Sequence, residues 1–123
     1  MLFAALASVV IATCYDGDTC TTTTGERVRL ACIDTPELVG KRAKPMPAKA
    51  ARDHLRGLVM GKKIGIRRIT KDRYGRTVAE LFAGDTNVQR EMVAIGHAEI
   101  LWRYAHQCPW TEGRQWDRSQ LKG

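Results

Sequence analysis

Four short stretches of this chain bring together residue types that can do chemistry on a phosphate ester. They are Asp16-Gly17-Asp18-Thr19, Arg29, Asp34-Thr35-Pro36-Glu37 and Asp72-Arg73-Tyr74-Gly75-Arg76. The carboxylates are hard oxygen ligands suited to a divalent cation, and a carboxylate left over could handle a water. Arg29 and Arg76 each offer a planar fork of donors that fits a phosphate in two-point contact and stabilises the extra charge of a five-coordinate phosphorus. Taken together this is a kit for hydrolysing a phosphodiester. Each piece alone has a plainer reading: Asp-Gly-Asp is a common turn, and in a chain with 20 Lys and Arg any one arginine is a solvated surface group.

The order and spacing of these pieces carry more than any one of them. Asp-Gly-Asp-Thr, Arg-Leu-x-x-Ile-Asp-Thr-Pro-Glu, Asp-Arg-Tyr-Gly-Arg-Thr-Val-Ala and a helix ending at Gly96 follow one another as they do in the staphylococcal nuclease (thermonuclease) family, which the chain resembles from about Val9 to Tyr104. The resemblance implies a Ca²⁺-dependent phosphodiesterase acting on DNA and RNA with little sequence preference and leaving 3′-phosphates. It implies that Asp18, Asp34 and the carbonyl of Thr35 hold the metal, with Asp16 close by contributing field. It gives Glu37 the attacking water, and Arg29 with Arg76 the scissile phosphate. Arg73 and Tyr74 match positions that contact a terminal phosphate and nucleotide. Trp102 and Tyr104 fall where the family has two substrate-contacting tyrosines. Trp at 102 departs from that pattern: an indole keeps the stacking face and loses the phenolic hydroxyl. Both aromatics could instead close the barrel as core residues. The other reading of the whole set is a non-catalytic OB-fold module that binds nucleic acid, although such modules typically lack some of these acids or arginines.

Other residue types argue against competing chemistries. Ser8 and Ser119 are the only serines and neither stands in a nucleophile context, so a covalent serine mechanism has no support. His54, His97 and His106 lack metal-ligand spacing; His54 reads as a partly exposed helix residue and the others as surface groups. Cys14, Cys20, Cys32 and Cys108 form no Cys-x-x-Cys pair, which speaks against zinc and thioredoxin-like chemistry. Two disulfides, one disulfide or four buried thiols remain open. Cys14 and Cys20 could face each other across a hairpin. Cys32 with Cys108 would close a long loop and tie the C-terminal segment to the barrel, and this second pairing is favoured.

At 123 residues with 44% hydrophobic content the chain makes one domain with a modest core. Its net charge of +7 favours a polyanionic partner, and Lys41, Arg42, Lys44 and Lys49 form a basic group suited to phosphates. Met1 to Ala7 reads as the remnant of an export signal ahead of a domain over residues 8–123, though a hydrophobic strand beginning near residue 3 fits as well. Secretion or a periplasmic location follows from the first reading, a cytoplasmic one from the second. A monomer without stable membrane association is expected.

The elements that must position the site follow from periodicity. Val9–Tyr15, Cys20–Thr24 and Arg27–Ile33 read as a three-stranded meander, with Val28 and Leu30 on one face and Arg27 and Arg29 on the other. Leu38 to Met46 reads as a mobile loop, and Pro47 to Met60 as a core-facing amphipathic helix capped at Gly61. Lys63–Ile69 and Arg76–Phe82 are strands flanking the Tyr74-Gly75 turn. Asn87 caps a second helix that ends at Gly96. Ile100–Tyr104 is expected to be short and extended, and Thr111 to Leu121 a weak third helix. Five strands with a helix between the third and fourth make a β-barrel with helices (α+β) of the OB-fold kind.

Overall fold

The computed structural model describes residues 6–112. Its frame is a long first strand, β1 (Ala7–Asp16), that serves two neighbours in turn. Residues Ala7 to Val10 pair antiparallel with β5 (Lys63–Lys71), and Ile11 to Asp16 pair antiparallel with β2 (Thr19–Thr22). Register shifts after Ile11 and Cys14 bend the strand between these two partnerships, as bulges do where a sheet must curl. The third strand, β3 (Arg27–Leu30), pairs with β2 and then in parallel with β6 (Thr77–Ala83), which itself pairs with β5. The ring β1-β2-β3-β6-β5 is therefore closed, giving the five-stranded OB-type barrel expected.

A second, two-stranded sheet lies outside the ring. The third expected strand breaks after Leu30, and its end forms β4 (Ile33–Asp34), which pairs with β8 (Glu99–Ile100). Between β4 and β5 runs α1 (Pro45–Val59), two residues longer at its start than expected. Pro45 and Pro47 both fall in its first turn, where backbone N–H groups have no helical partner to lose. Ala48, Ala51, Leu55 and Val59 form the buried face of α1 and meet β1 and the core. The short β7 (Thr86–Asn87) leads into α2 (Val88–Ala94), whose N-cap Asn87 accepts a hydrogen bond from Arg90 N at 3.1 Å.

The core gathers Ile11, Val28, Leu30, Ile33, Leu55, Ile64, Leu81, Met92 and Ile100, all nearly or wholly buried. Gln89 is also fully buried. Its side-chain oxygen accepts from Leu81 N at 3.0 Å, and its amide donates to Ala79 O at 3.0 Å and Ala31 O at 3.4 Å. A buried amide so placed costs little, because its polar atoms replace backbone partners instead of losing water.

The expected extended run to Tyr104 stops at Ile100. Leu101 N donates to Cys32 O at 2.8 Å, and the chain then winds into two 3-10 helices, Trp102–Gln107 and Pro109–Glu112. The reason is tertiary. Trp102 packs on the core, and the Cys32–Cys108 disulfide draws the segment back onto the barrel. Cys14 and Cys20 are bonded as well, so both pairings occur. Most of the Met1 to Ala7 segment, and the expected third helix beyond Glu112, lie outside the described residues.

Candidate active site

The acidic turn between β1 and β2 is clamped on three sides. The Cys14–Cys20 disulfide closes its base, and Arg56 of α1 donates to Cys14 O through Nε at 3.1 Å and Nη2 at 2.7 Å. At the tip, Gly17 packs so tightly that a Cβ there would lie 2.8 Å from Ala51 Cβ and 2.9 Å from Thr35 Cβ. Only a glycine lets the turn come this close to α1 and the β4–α1 loop.

That approach brings Asp18, buried in the turn, against Thr35. Both the backbone N–H and the hydroxyl of Thr35 donate to Asp18 Oδ2, each at 3.1 Å. Thr19 Oγ1 donates to the other oxygen at 3.2 Å, and Asp16 Oδ1 accepts from Asp18 N at 3.1 Å. Arg29 stands beside them: Nη2 is 3.5 Å from Asp18 Oδ2 and 3.8 Å from Asp34 Oδ1, while Nη1 donates to Leu30 O at 2.8 Å. The two-residue period of β3 turns Val28 and Leu30 inward and Arg29 outward, as its sequence requires.

Asp16, Asp18 and Asp34 crowd one another. Burial, followed by the charge of Asp18, raises the Asp16 carboxyl to about 6. Burial and the charge of Asp18 raise Asp34 also, with Glu37 adding to the effect and Arg29 opposing it. Arg29 therefore offsets only part of the cost of gathering these carboxylates. No set of three or more His, Cys, Asp and Glu side chains converges on a metal-sized space among the described residues. A cation here would draw on two carboxylates, Asp18 and Asp34, a backbone carbonyl and water. This all-oxygen donor set fits Ca²⁺, which tolerates irregular geometry.

Two hollows flank this centre. One, of about 630 Å³, is lined by Arg29, Arg73, Tyr74, Arg76, Arg103 and Tyr104 among others. The other, of about 590 Å³, is lined by Asp34, Thr35, Glu37, Lys41, Arg42 and His97 among others. Arg29 and Asp34, 3.8 Å apart, link the two. The structure thus gathers Asp18, Asp34, Thr35 and Arg29 tightly, with Arg73, Tyr74, Arg76 and Tyr104 on one side and Glu37 on the other. Among the described residues no ion pair joins Glu37 to Arg29 or Arg76. Trp102 is half-buried against the core and does not line the arginine hollow.

Two positioning roles were not read from the sequence: that of Asp72, which lies inside a site motif, and that of Glu80. Asp72 opens the turn before β6: its Oδ2 accepts from Arg76 Nε at 2.7 Å and its Oδ1 from Arg76 N at 2.9 Å and Tyr74 N at 3.0 Å. An Asp three residues before the Gly of a tight turn is a known local signal, and here it also aims an arginine. Glu80, almost fully buried, pairs with Arg67 at 2.6 Å, and Arg67 Nη2 donates to Gln107 O at 2.6 Å, pinning the 3-10 segment that carries Tyr104. No short sequence signal marks that link.

A closed five-stranded barrel with a helix after its third strand and a charged site on its outer wall belongs to the OB-type class. The family follows from comparison. The model of the "Staphylococcal nuclease homologue" family matches residues 27–115, which include every site stretch except the Asp16–Thr19 turn. An "Uncharacterized endonuclease" of Haemophilus influenzae is 34% identical over 112 residues, covering 88% of this chain and 59% of that protein. The "Staphylococcal-like nuclease CAN1" of Arabidopsis thaliana is 34% identical over 91 residues, covering 74% of this chain and 26% of that one. The chain belongs to the staphylococcal nuclease family. It spans between about a quarter and three-fifths of the length of these two relatives.

Proposed function

We propose that the protein is a Ca²⁺-dependent nuclease that hydrolyses phosphodiester bonds of DNA and RNA without sequence preference and leaves 3′-phosphate products. The observation that carries this reading is Arg29. It touches both Asp18 and Asp34 and also lines the hollow that holds Arg76, so a phosphate bound there would sit between the acids and the second guanidinium. A binding module has no need of that juxtaposition.

Asp18, Asp34 and the Thr35 carbonyl would hold the ion. When bound, Ca²⁺ supplies Lewis-acid polarisation of a phosphoryl oxygen and lowers the cost of bringing an anion among carboxylates. The chain's own residues do the rest. Glu37, exposed on the Asp34 side, orients an attacking water and accepts its proton. Arg29 and Arg76 donate to the non-bridging oxygens as charge builds on phosphorus, and Asp72 keeps Arg76 aimed by its bond at 2.7 Å. Arg73, Tyr74 and Tyr104 offer a cation and aromatic faces to the flanking nucleotide; the Arg73 guanidinium lies 4.9 Å from the Tyr74 ring centre. Trp102 serves the same segment from the core side.

Export to an oxidising compartment is part of the proposal, supported by the two disulfides. Among the described residues no helix is long and apolar enough to cross a membrane. The deciding experiment incubates purified protein with plasmid and with RNA in Ca²⁺, in Mg²⁺ and in chelator. Cleavage is expected with Ca²⁺ and poorly with Mg²⁺, which demands a stricter octahedron. Undiminished cleavage in excess chelator, or binding without cleavage under every metal, would overturn the proposal.

A further inference from the structure

His54 and His97 are far apart in sequence, yet the fold sets their ring centres 5.1 Å apart with the planes inclined by 36°. His54 projects from α1, and its Nε2 is closed off from solvent with no hydrogen-bond partner among the described residues. Ring nitrogens in such places normally have a partner, so an unpaired one calls for an explanation. His97 follows the end of α2. There Gly96, at a φ of +87°, lets Gly96 N donate to Val93 O at 3.0 Å and His97 N donate to Met92 O at 2.9 Å. This helix-ending motif fixes the backbone of His97, while α1 fixes that of His54. His97 also lines the hollow that holds Asp34 and Glu37.

We propose that His54 and His97 form a transition-metal site, distinct from the carboxylate centre, that takes Zn²⁺ and when occupied inhibits the enzyme. Imidazole nitrogen suits Zn²⁺, Cu²⁺ and Ni²⁺, whereas carboxylates and carbonyls suit Ca²⁺, so the two sites sort ions by donor type. Two imidazoles bound to one tetrahedral Zn²⁺ at about 2.0–2.1 Å place their ring centres about 5 Å apart, and the pair already stands at 5.1 Å. With both backbones fixed and the ring centres at this spacing, what remains for binding is rotation of the rings to turn a nitrogen of each toward the ion. Burial, and then the charge of His54, hold His97 below the usual histidine range, so a proton competes weakly for it at neutral pH. Water completes the coordination. An ion on His97 would add positive charge at the hollow that Glu37 lines, drawing that carboxylate away from water. This inhibitory half rests on the proposed nuclease activity; the binding half does not.

The test titrates ZnCl₂ into the full chain in excess Ca²⁺, which keeps the carboxylates occupied. Calorimetry and imidazole ¹⁵N resonances read binding, and a plasmid assay reads cleavage. One equivalent should bind, shifting the His54 and His97 resonances and leaving those of the exposed His106 in place. His54→Gln and His97→Gln should each weaken binding at least about tenfold and remove zinc inhibition, and His54→Gln, which lies outside the hollow, should retain Ca²⁺-supported cleavage in the absence of zinc. Zinc affinity equal to the parent's in either variant, or unmoved His54 and His97 resonances, would overturn the site. A protein that binds zinc through both histidines but never cleaves nucleic acid would leave the site standing and remove the nuclease reading alone.

Discussion

Gly17→Ala tests whether close approach of the acidic turn to Thr35 builds the site. The added Cβ would lie 2.8 Å from Ala51 Cβ and 2.9 Å from both Cβ and Cγ2 of Thr35. Carbon atoms in ordinary contact stand about 3.5–4.0 Å apart, so the neighbours must give way by roughly 0.6 Å or more. Ala51 is fixed in a buried turn of α1, which leaves the turn and Thr35 to move. Thr35 is the source of two donors to Asp18 Oδ2 at 3.1 Å, and a shift of that size takes them past hydrogen-bonding range. Overpacking costs about 1–3 kcal/mol, and weakening bonds to a buried carboxylate adds about 1–3 kcal/mol. The expected loss is therefore about 2–6 kcal/mol. For a domain of this size that lowers Tm by roughly 10–20 °C. Thermal unfolding by circular dichroism in chelator reads stability, and calorimetry reads the expected loss of Ca²⁺ affinity. Gly57→Ala is the control: it lies in α1 with nothing within 4 Å of the added atom, and it should be neutral or gain up to about 1 kcal/mol. A Gly17→Ala protein that melts with the parent and binds Ca²⁺ as tightly would refute the reasoning.

Further outcomes follow from single contacts. Glu37→Gln should lower kcat at least about 100-fold with little change in substrate binding, measured by single-turnover cleavage and a separate binding assay. Asp72→Ala frees Arg76 and should reduce kcat/KM by about tenfold while leaving Ca²⁺ affinity unchanged, since Asp72 touches the arginine and not the carboxylates. Glu26 accepts two bonds from Arg68, at 2.8 and 2.7 Å, and one from Thr77 at 2.8 Å, and Arg68 foremost lowers its carboxyl to about 2. Its contribution, about 1 kcal/mol after solvent screening, is present above the usual glutamate pKa of about 4.5 and lost as pH falls from there to about 2. The stability gap between parent and Glu26→Gln should therefore close across that window in acid titrations followed by circular dichroism. Replacing Cys32 and Cys108 together by Ser should cost roughly 2–4 kcal/mol and raise KM, measured by unfolding and by steady-state cleavage.

The barrel was legible because its signals are local: strict alternation in β3, turn residues at Gly17, Gly25 and Gly75, and one apolar stripe on α1. Most site positions were legible for the same reason, since each chemical group sits inside a short motif. The missed features all depend on contacts between distant segments. Pro45 reads as loop until its place in a helical first turn is known. Ile100 to Tyr104 reads as extended because aromatic and β-branched residues suit a strand, whereas a disulfide and a packed indole curl the chain from Trp102 onward. Gly17 is needed for what α1 and Thr35 place against it, and the His54–His97 pair exists only once α1 meets the end of α2.

The same contrast accounts for where the disulfides lie. A site that gathers Asp16, Asp18 and Asp34 on one side and Arg29, Lys71, Arg73, Arg76 and Arg103 around one hollow works against folding, because like charges brought together repel. The proposed chemistry needs that concentration of charge, so on that reading it cannot be diluted away. Each disulfide holds one half of it. Cys14–Cys20 brackets the acidic turn, and Cys32–Cys108 holds the segment of Arg103 and Tyr104 over the arginine hollow. Cys32 itself has a φ of +69°, a conformation costly for a side-chain-bearing residue, at the point where β3 ends and β4 begins. The backbone is bent there to turn Asp34 toward Arg29, and the link to Cys108 fixes the bend. On this argument the two bonds are not interchangeable: opening Cys14–Cys20 should chiefly weaken Ca²⁺ binding, and opening Cys32–Cys108 should chiefly weaken substrate binding.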